Sequence, residues 1–141
     1  MSRFNFLSLY KERKEEHAVW PIGERFPVPV GNEIHTGFFV FVSFSCGHCI
    51  DLFPHLNELQ EETEIPFLLF CAADQETIRE AADHFGFSFG WEAVEFDELK
   101  SVYRVYETPY IYYIRDGVVA GSQTVDTAEE FSRFIQASAG K

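Results

Sequence analysis

The amino-acid sequence predicts an α/β fold on a mixed β-sheet, parallel in its early strands. Apolar runs of β-forming residues alternate with segments of helical periodicity along most of the chain. The last two apolar runs are joined by Asp116-Gly117, a hairpin signal that makes their pairing antiparallel. With 141 residues, 46% hydrophobic and 24% charged, the chain is long enough to bury a core without disulfides. No repeat or linker divides it, so one domain over residues 1–141 is expected, with 1–20 as an N-terminal helical extension.

Leu7 to Val19 has the pattern of a short amphipathic helix closed by Pro21. The segment PIGERFPVPVGNEIHTG reads as loop and edge structure, because its prolines and glycines punctuate it throughout. Phe38 to Phe44 is a continuous apolar run bounded by Gly37 and Ser45, as in a strand buried on both faces. A helix is expected from Ser45 or Cys46, with Ile50, Phe53, Leu56 and Leu59 at helical spacing and a kink at Pro54. Ile65 to Cys71 is a second buried strand. Asp74 caps a helix over Gln75–His84 that ends before Gly86.

Val94-Glu95-Phe96 is read as a short strand and Asp97 to Val105 as a short helix. Tyr110 to Arg115 and Val118 to Ala120 form the terminal hairpin. Thr127 to Ala137 is the closing helix, with Thr127 and Glu130 spaced as a capping box. The sixteen Phe and six Tyr are expected chiefly as core filling.

A net charge of -12 repels phosphate backbones and anionic lipid, which argues against nucleic-acid and membrane-surface roles. The start, MSRFNFLSLYKERKEEHAVW, lacks the pattern of a signal peptide, and no apolar run approaches the length of a membrane span. A cytoplasmic protein is therefore expected. In a reducing compartment, a close pair of cysteines points to catalysis or metal binding rather than stapling.

That pair is Cys46 and Cys49, in SCGHC, at the junction of a buried strand and a helix. The first turn of a helix presents free N–H groups and positive dipole, both of which favour a thiolate. Cys46 is thereby activated as a nucleophile, and Cys49, one turn further in, is shielded. Three-residue spacing places both on one helix face, within reach of a disulfide. Gly47 leaves the sulfur accessible, and a positive His48 between the cysteines favours the reduced form, making the disulfide more oxidising. A structural zinc site would need further ligands, commonly a second CxxC pair or a spaced His pair; His55, six residues past Cys49, and His35 upstream leave an improvised Cys-His site open. A structural disulfide would close too small a loop to matter much for stability. His17 and His84 are uninformative alone. Cys71, in LLFCAA, reads as a small core residue, although its strand end shares the sheet edge of Cys46.

Three motifs in order give the sequence a resemblance to the thioredoxin superfamily. Strand and CGHC are followed by Pro54, where thioredoxins carry a helix-kinking proline. Thr108-Pro109 resembles the cis-proline element that faces the active-site disulfide. Tyr112 to Val118 resembles the final hairpin. The long segment between Cys49 and Pro109, with Pro21 to Pro27 similar to an "IGxxxP" entry, resembles the TlpA-like, peroxiredoxin-related branch. The Gly-His dipeptide is that of protein disulfide isomerases. Peroxiredoxins themselves are disfavoured, because Val42-Ser43-Phe44-Ser45 lacks their Pro and Thr.

The resemblance implies a three-layer sandwich, helices flanking the sheet, with an extra helix-strand element between the CxxC helix and the cis-proline strand. It also implies a thiol–disulfide oxidoreductase working through a mixed disulfide: Cys46 attacks, Cys49 resolves, Gly47 and His48 shape the motif, and Thr108 and Pro109 present a substrate backbone. The expected partners are a protein or peptide thiol or disulfide and a thiol electron donor or acceptor, a reductase or glutathione. No cofactor or metal is called for. Metal delivery through Cys46, Cys49 and a histidine, or a non-catalytic adaptor role, are the alternatives. Two positions depart from the pattern: Ser45 replaces the common Trp, and Val40 stands where thioredoxins bury an Asp. Removal of the Cys49 proton then falls to water, Asp51 or Glu107.

Overall fold

Seven consecutive residues, Gly37–Ser43, form β1, and every one of them is buried. Alternation splits its side chains between two cores, Phe38, Val40 and Val42 facing one and Phe39 and Phe41 the other. Both faces of this strand must therefore be covered, which makes it central. The computed structural model, which describes residues 18–28 and 34–139, places it in the middle of a five-stranded sheet. The sheet order is β3-β2-β1-β4-β5, with β2 Phe67–Ala72, β3 Gly90–Val94, β4 Tyr110–Arg115 and β5 Val118–Thr124.

The first three strands pair in parallel and the last two antiparallel, as the alternating pattern and the hairpin predict. On the face of Phe38, Val40 and Val42 lie buried residues of α1 (Gly47–Leu52), α2 (Leu56–Glu61), α3 (Gln75–Phe85) and α5 (Ala128–Ala139). The opposite face is covered by α4 (Phe96–Ser101), the segment to Val105, and residues 19–28. This layer is an aromatic cluster, with Phe41 stacked on Phe70 at 4.5 Å and Phe26 4.8 Å from Tyr112. The Tyr112 hydroxyl donates to Tyr103 O at 2.8 Å and accepts from the Trp20 N–H at 3.1 Å, tying the N-terminal strap down.

Several boundaries differ from the sequence reading. The predicted helix over Leu7–Val19 lies outside the described residues, except that Ala18 and Val19 are not helical. Pro54 does more than kink its helix: Phe53–His55 is a 3-10 turn between α1 and α2. The short strand expected at Val94–Phe96 is instead Gly90–Val94, held in register on β2 from Leu68 to Ala72. Glu95 then caps α4 through a reciprocal bond with Glu98, so helix begins at Phe96. The helix expected to reach Val105 ends at Ser101, and Arg104 takes a positive φ of 54°. β5 continues past Ala120 to Thr124 through Gly121-Ser122-Gln123, because β4 supplies its ladder partner.

Asp74 caps α3 as expected, accepting from Thr77 N at 2.8 Å. Gly86 ends that helix at φ 63°, a left-handed position that costs glycine little. Thr127 Oγ1 accepts from Glu130 N at 3.1 Å, but the Glu130 carboxylate accepts from Asp126 N rather than from the Thr127 N–H. Among the described residues no helix is long and apolar enough to cross a membrane.

Candidate active site

β1 delivers the chain to the sheet edge at Ser43, and the turn Phe44-Ser45 swings it into α1 with Cys46 as the N-cap. Cys46 has extended backbone angles, φ -105° and ψ 120°, and its sulfur forms no full cap hydrogen bond. Burial alone acts to raise its pKa. That is outweighed by the Cys49 thiol, the Cys49 N–H, the Thr108 hydroxyl and the His48 N–H, and the net shift is downward. All of them stabilise negative charge on sulfur. The Thr108 carbonyl, 3.3 Å from Cys46 Sγ, is an acceptor for the thiol proton and works weakly the other way.

Cys49 is fully buried, and that burial pushes its thiol up to about 12. The Ser43 N–H donates to its sulfur at 3.4 Å, which partly offsets the effect. One partly exposed sulfur with a depressed pKa thus lies against a buried one with a raised pKa. All three cysteines are free thiols.

The structure brings Cys46, Cys49 and Thr108 together across sixty-two positions of chain separating Cys46 from Thr108. The Thr108–Pro109 peptide bond is cis, and Pro109 is buried with its carbonyl accepting from Val125 N at 3.1 Å. The Thr108 hydroxyl bears on both sulfurs, a role beyond the backbone presentation that the resemblance implies. Gly47 is exposed, with open space where a Cβ would stand. His48 is exposed, and its backbone N–H is among the groups that lower the Cys46 pKa.

Val40 is buried at 1% exposure among apolar neighbours, and Asp51 and Glu107 are both exposed. The groups acting on Cys49 are Ser43, Cys46 and Thr108. Ser43, which sequence reasoning missed, is the one buried polar residue among the described residues. Its hydroxyl lies 2.8 Å from that of Ser45 and accepts from Ser45 N at 3.2 Å, fixing the turn into the motif. The repeated serine in SFSC was the available signal. Cys71 is fully buried between Val42 and Ala93 in the sheet, and burial pushes its thiol up to about 12. It is core, not a third reactive thiol. Among the described residues no group of three or more His, Cys, Asp or Glu side chains is placed to hold a metal ion, and His35 and His55 join no such group.

The two thiols differ enough for a direct chemical test. With its pKa about five units above neutrality, Cys49 is thiolate in on the order of one molecule in 10⁵ at pH 7. Iodoacetamide at pH 7 is therefore expected to label Cys46 alone, with a rate that rises with pH about a midpoint below the ordinary thiol pKa of 9.0. Peptide mapping after a pH series reads this; comparable labelling of Cys49 would contradict the burial argument.

No family model matches the chain, and no curated protein does either. Solved structures do. One is a Chlorobium tepidum protein assigned as the thiol:disulfide interchange protein DsbE, with TM-score 0.70 and 15% identity, covering 83% of this chain and 94% of that one. A thio-disulfide isomerase from Thermus thermophilus has TM-score 0.64 and 21% identity, covering 85% and 97%. A thioredoxin-like protein solved in its oxidised form has TM-score 0.64 and 15% identity, covering 87% and 97%. At these identities the likeness establishes the fold: the chain is thioredoxin-like.

Proposed function

We propose that this chain is a thiol–disulfide oxidoreductase, exchanging two electrons between the Cys46–Cys49 dithiol and a protein or peptide disulfide. The observation that carries this reading is the opposite displacement of two adjacent thiols, Cys46 downward and partly exposed, Cys49 upward and buried. A metal site or a structural staple has no use for that difference. An exchange enzyme does, because attack needs a thiolate at the surface and resolution needs a second thiol held in reserve.

In the reducing direction the Cys46 thiolate attacks one sulfur of the substrate disulfide. A Cys46–substrate disulfide forms, and the other substrate sulfur leaves as thiolate and takes up a proton. Cys49 then loses its proton and attacks Cys46 Sγ, which releases the second substrate thiol and leaves the Cys46–Cys49 disulfide. The enzyme is oxidised by two electrons and the substrate reduced by two; the oxidising direction is the reverse. Loss of negative charge from Cys46 in the mixed disulfide leaves the Thr108 hydroxyl, already facing both sulfurs, to support charge developing on Cys49. A dithiol donor or glutathione closes the cycle.

Donors that favour the Cys46 thiolate favour the reduced state, so the couple is expected to be more oxidising than thioredoxin. Equilibration in glutathione buffers with thiol counting is expected to give a potential above about -270 mV, toward the ~-180 mV of protein disulfide isomerase. His48→Pro deletes one N–H donor to Cys46 and is expected to lower the potential. A wild-type value at or below thioredoxin's, unmoved by His48→Pro, would overturn the oxidising assignment.

A further inference from the structure

A cavity opens beside Cys46, with a volume of about 100 Å³, lined by Ser43, Ser45, Cys46, Phe96, Leu99, Lys100, Val105, Tyr106 and Thr108. Its walls come from α4 and the segment after it, the region between the CxxC helix and the Thr108–Pro109 strand. The volume is that of about three liquid water molecules, enough for one aliphatic side chain but not for an extended ligand.

Four features say what fits. The lining is mainly apolar, through Phe96, Leu99, Val105 and Tyr106. The exposed large hydrophobics among the described residues are Ile22, Ile50 and Phe96, and two of these adjoin Cys46: Ile50, whose N–H donates to Cys46 O, and Phe96, 57% exposed in the cavity wall. Apolar side chains left in water around a reactive group mark a contact surface. Among the described residues Lys100 is the one charged residue in the lining, on a chain of net charge -12. Ser45 supplies the remaining condition, since a large side chain there would occupy the space that this serine leaves open.

We propose that this cavity is a specificity pocket for the residue next to the substrate's reacting cysteine, accepting a leucine-sized apolar side chain, with Lys100 at its mouth pairing with a carboxylate on the same peptide. The proposal rests on the oxidoreductase reading, because the mixed disulfide is what brings a substrate residue alongside Cys46. A sulfur bonded to Cys46 Sγ lies about 2.05 Å away, so the neighbouring substrate residue reaches the cavity directly.

The test measures the rate of mixed-disulfide formation by the Cys49→Ser variant with short peptides whose cysteine is activated by thionitrobenzoate. The peptides carry leucine before the cysteine, leucine after it, or glycine at both places, each with a flanking Asp or Lys. One leucine peptide is expected to react about tenfold faster than the glycine peptide. Phe96→Ser, an exposed and structurally mild change, is expected to remove that preference. Asp is expected to be favoured over Lys by about threefold, and Lys100→Glu to reverse this. Ellman's reagent, which has no peptide but is itself an aromatic dianion, is used on the Cys49→Ser protein alone, as the check that Cys46 is reactive. Equal rates for every peptide alongside a normal reaction with Ellman's reagent would overturn the pocket and leave the enzyme reading standing. A leucine preference that survives Phe96→Ser would also overturn it. Failure of Cys46 to react with either reagent would instead remove the oxidoreductase reading beneath it.

Discussion

Cys46→Ser is expected to abolish disulfide reduction, lowering turnover of insulin with dithiothreitol by at least about 10³-fold, because a serine hydroxyl does not ionise usefully near neutral pH. Cys49→Ser is expected to fail differently. The first attack persists, since Cys46 keeps its surface position and most of its donors, but nothing resolves the product. A covalent complex with the substrate accumulates, visible as added mass under non-reducing conditions and cleared by excess thiol. The asymmetry is the test: if Cys49→Ser lost all reaction while Cys46→Ser trapped substrate, the roles of nucleophile and resolving thiol would be exchanged.

Phe41→Ala is expected to be the most damaging change away from the cysteines, costing about 3–5 kcal/mol of stability. Phe41 is fully buried in the central strand and packs against Phe70, Tyr103, Tyr112 and Phe26 at ring separations of 4.5, 5.1, 5.9 and 6.3 Å. Truncation leaves a void that four rings from different elements cannot close together. For a chain of this length the melting temperature should fall by roughly 10 °C or more, read by circular dichroism. The folded variant should still label Cys46 selectively, because the motif packs mainly on the other core; a small loss of stability would mean that the aromatic layer relaxes more easily than its packing suggests.

The parts of this molecule that sequence made visible are those in which local chemistry and burial agree. Phe38 to Phe44 is apolar enough to declare a doubly buried strand, and Asp74 and Gly86 bracket α3 through capping and a left-handed turn that need only neighbours in sequence. Where pairing decided, local signals failed. Gly90-Trp91-Glu92 carries little strand pattern and is extended because β2 offers it an edge; Gly121-Ser122-Gln123 follows β4 for the same reason. The site divides similarly. Cys46, Cys49, Thr108 and Pro109 lie in short motifs. The cavity wall, by contrast, joins Ser43 and Ser45 to Phe96, Leu99 and Tyr106, which only the crossover to α4 brings together. His48 shows a subtler limit: its residue type drew attention to charge, while its main-chain N–H, which nearly any residue would supply, also acts on Cys46.

β1 has two further strands on each side, and all seven of its residues are shut away from water. Its amides are those that solvent reaches last, after the edge strands β3 and β5 have opened. Cys46 and Cys49 follow that strand within a few residues, and Ser43, its final residue, donates directly to Cys49 Sγ. The end of the molecule that carries both sulfurs is thus moored to its most deeply buried strand. Opening of α4 or of the terminal hairpin is expected to leave the spacing between the two sulfurs undisturbed.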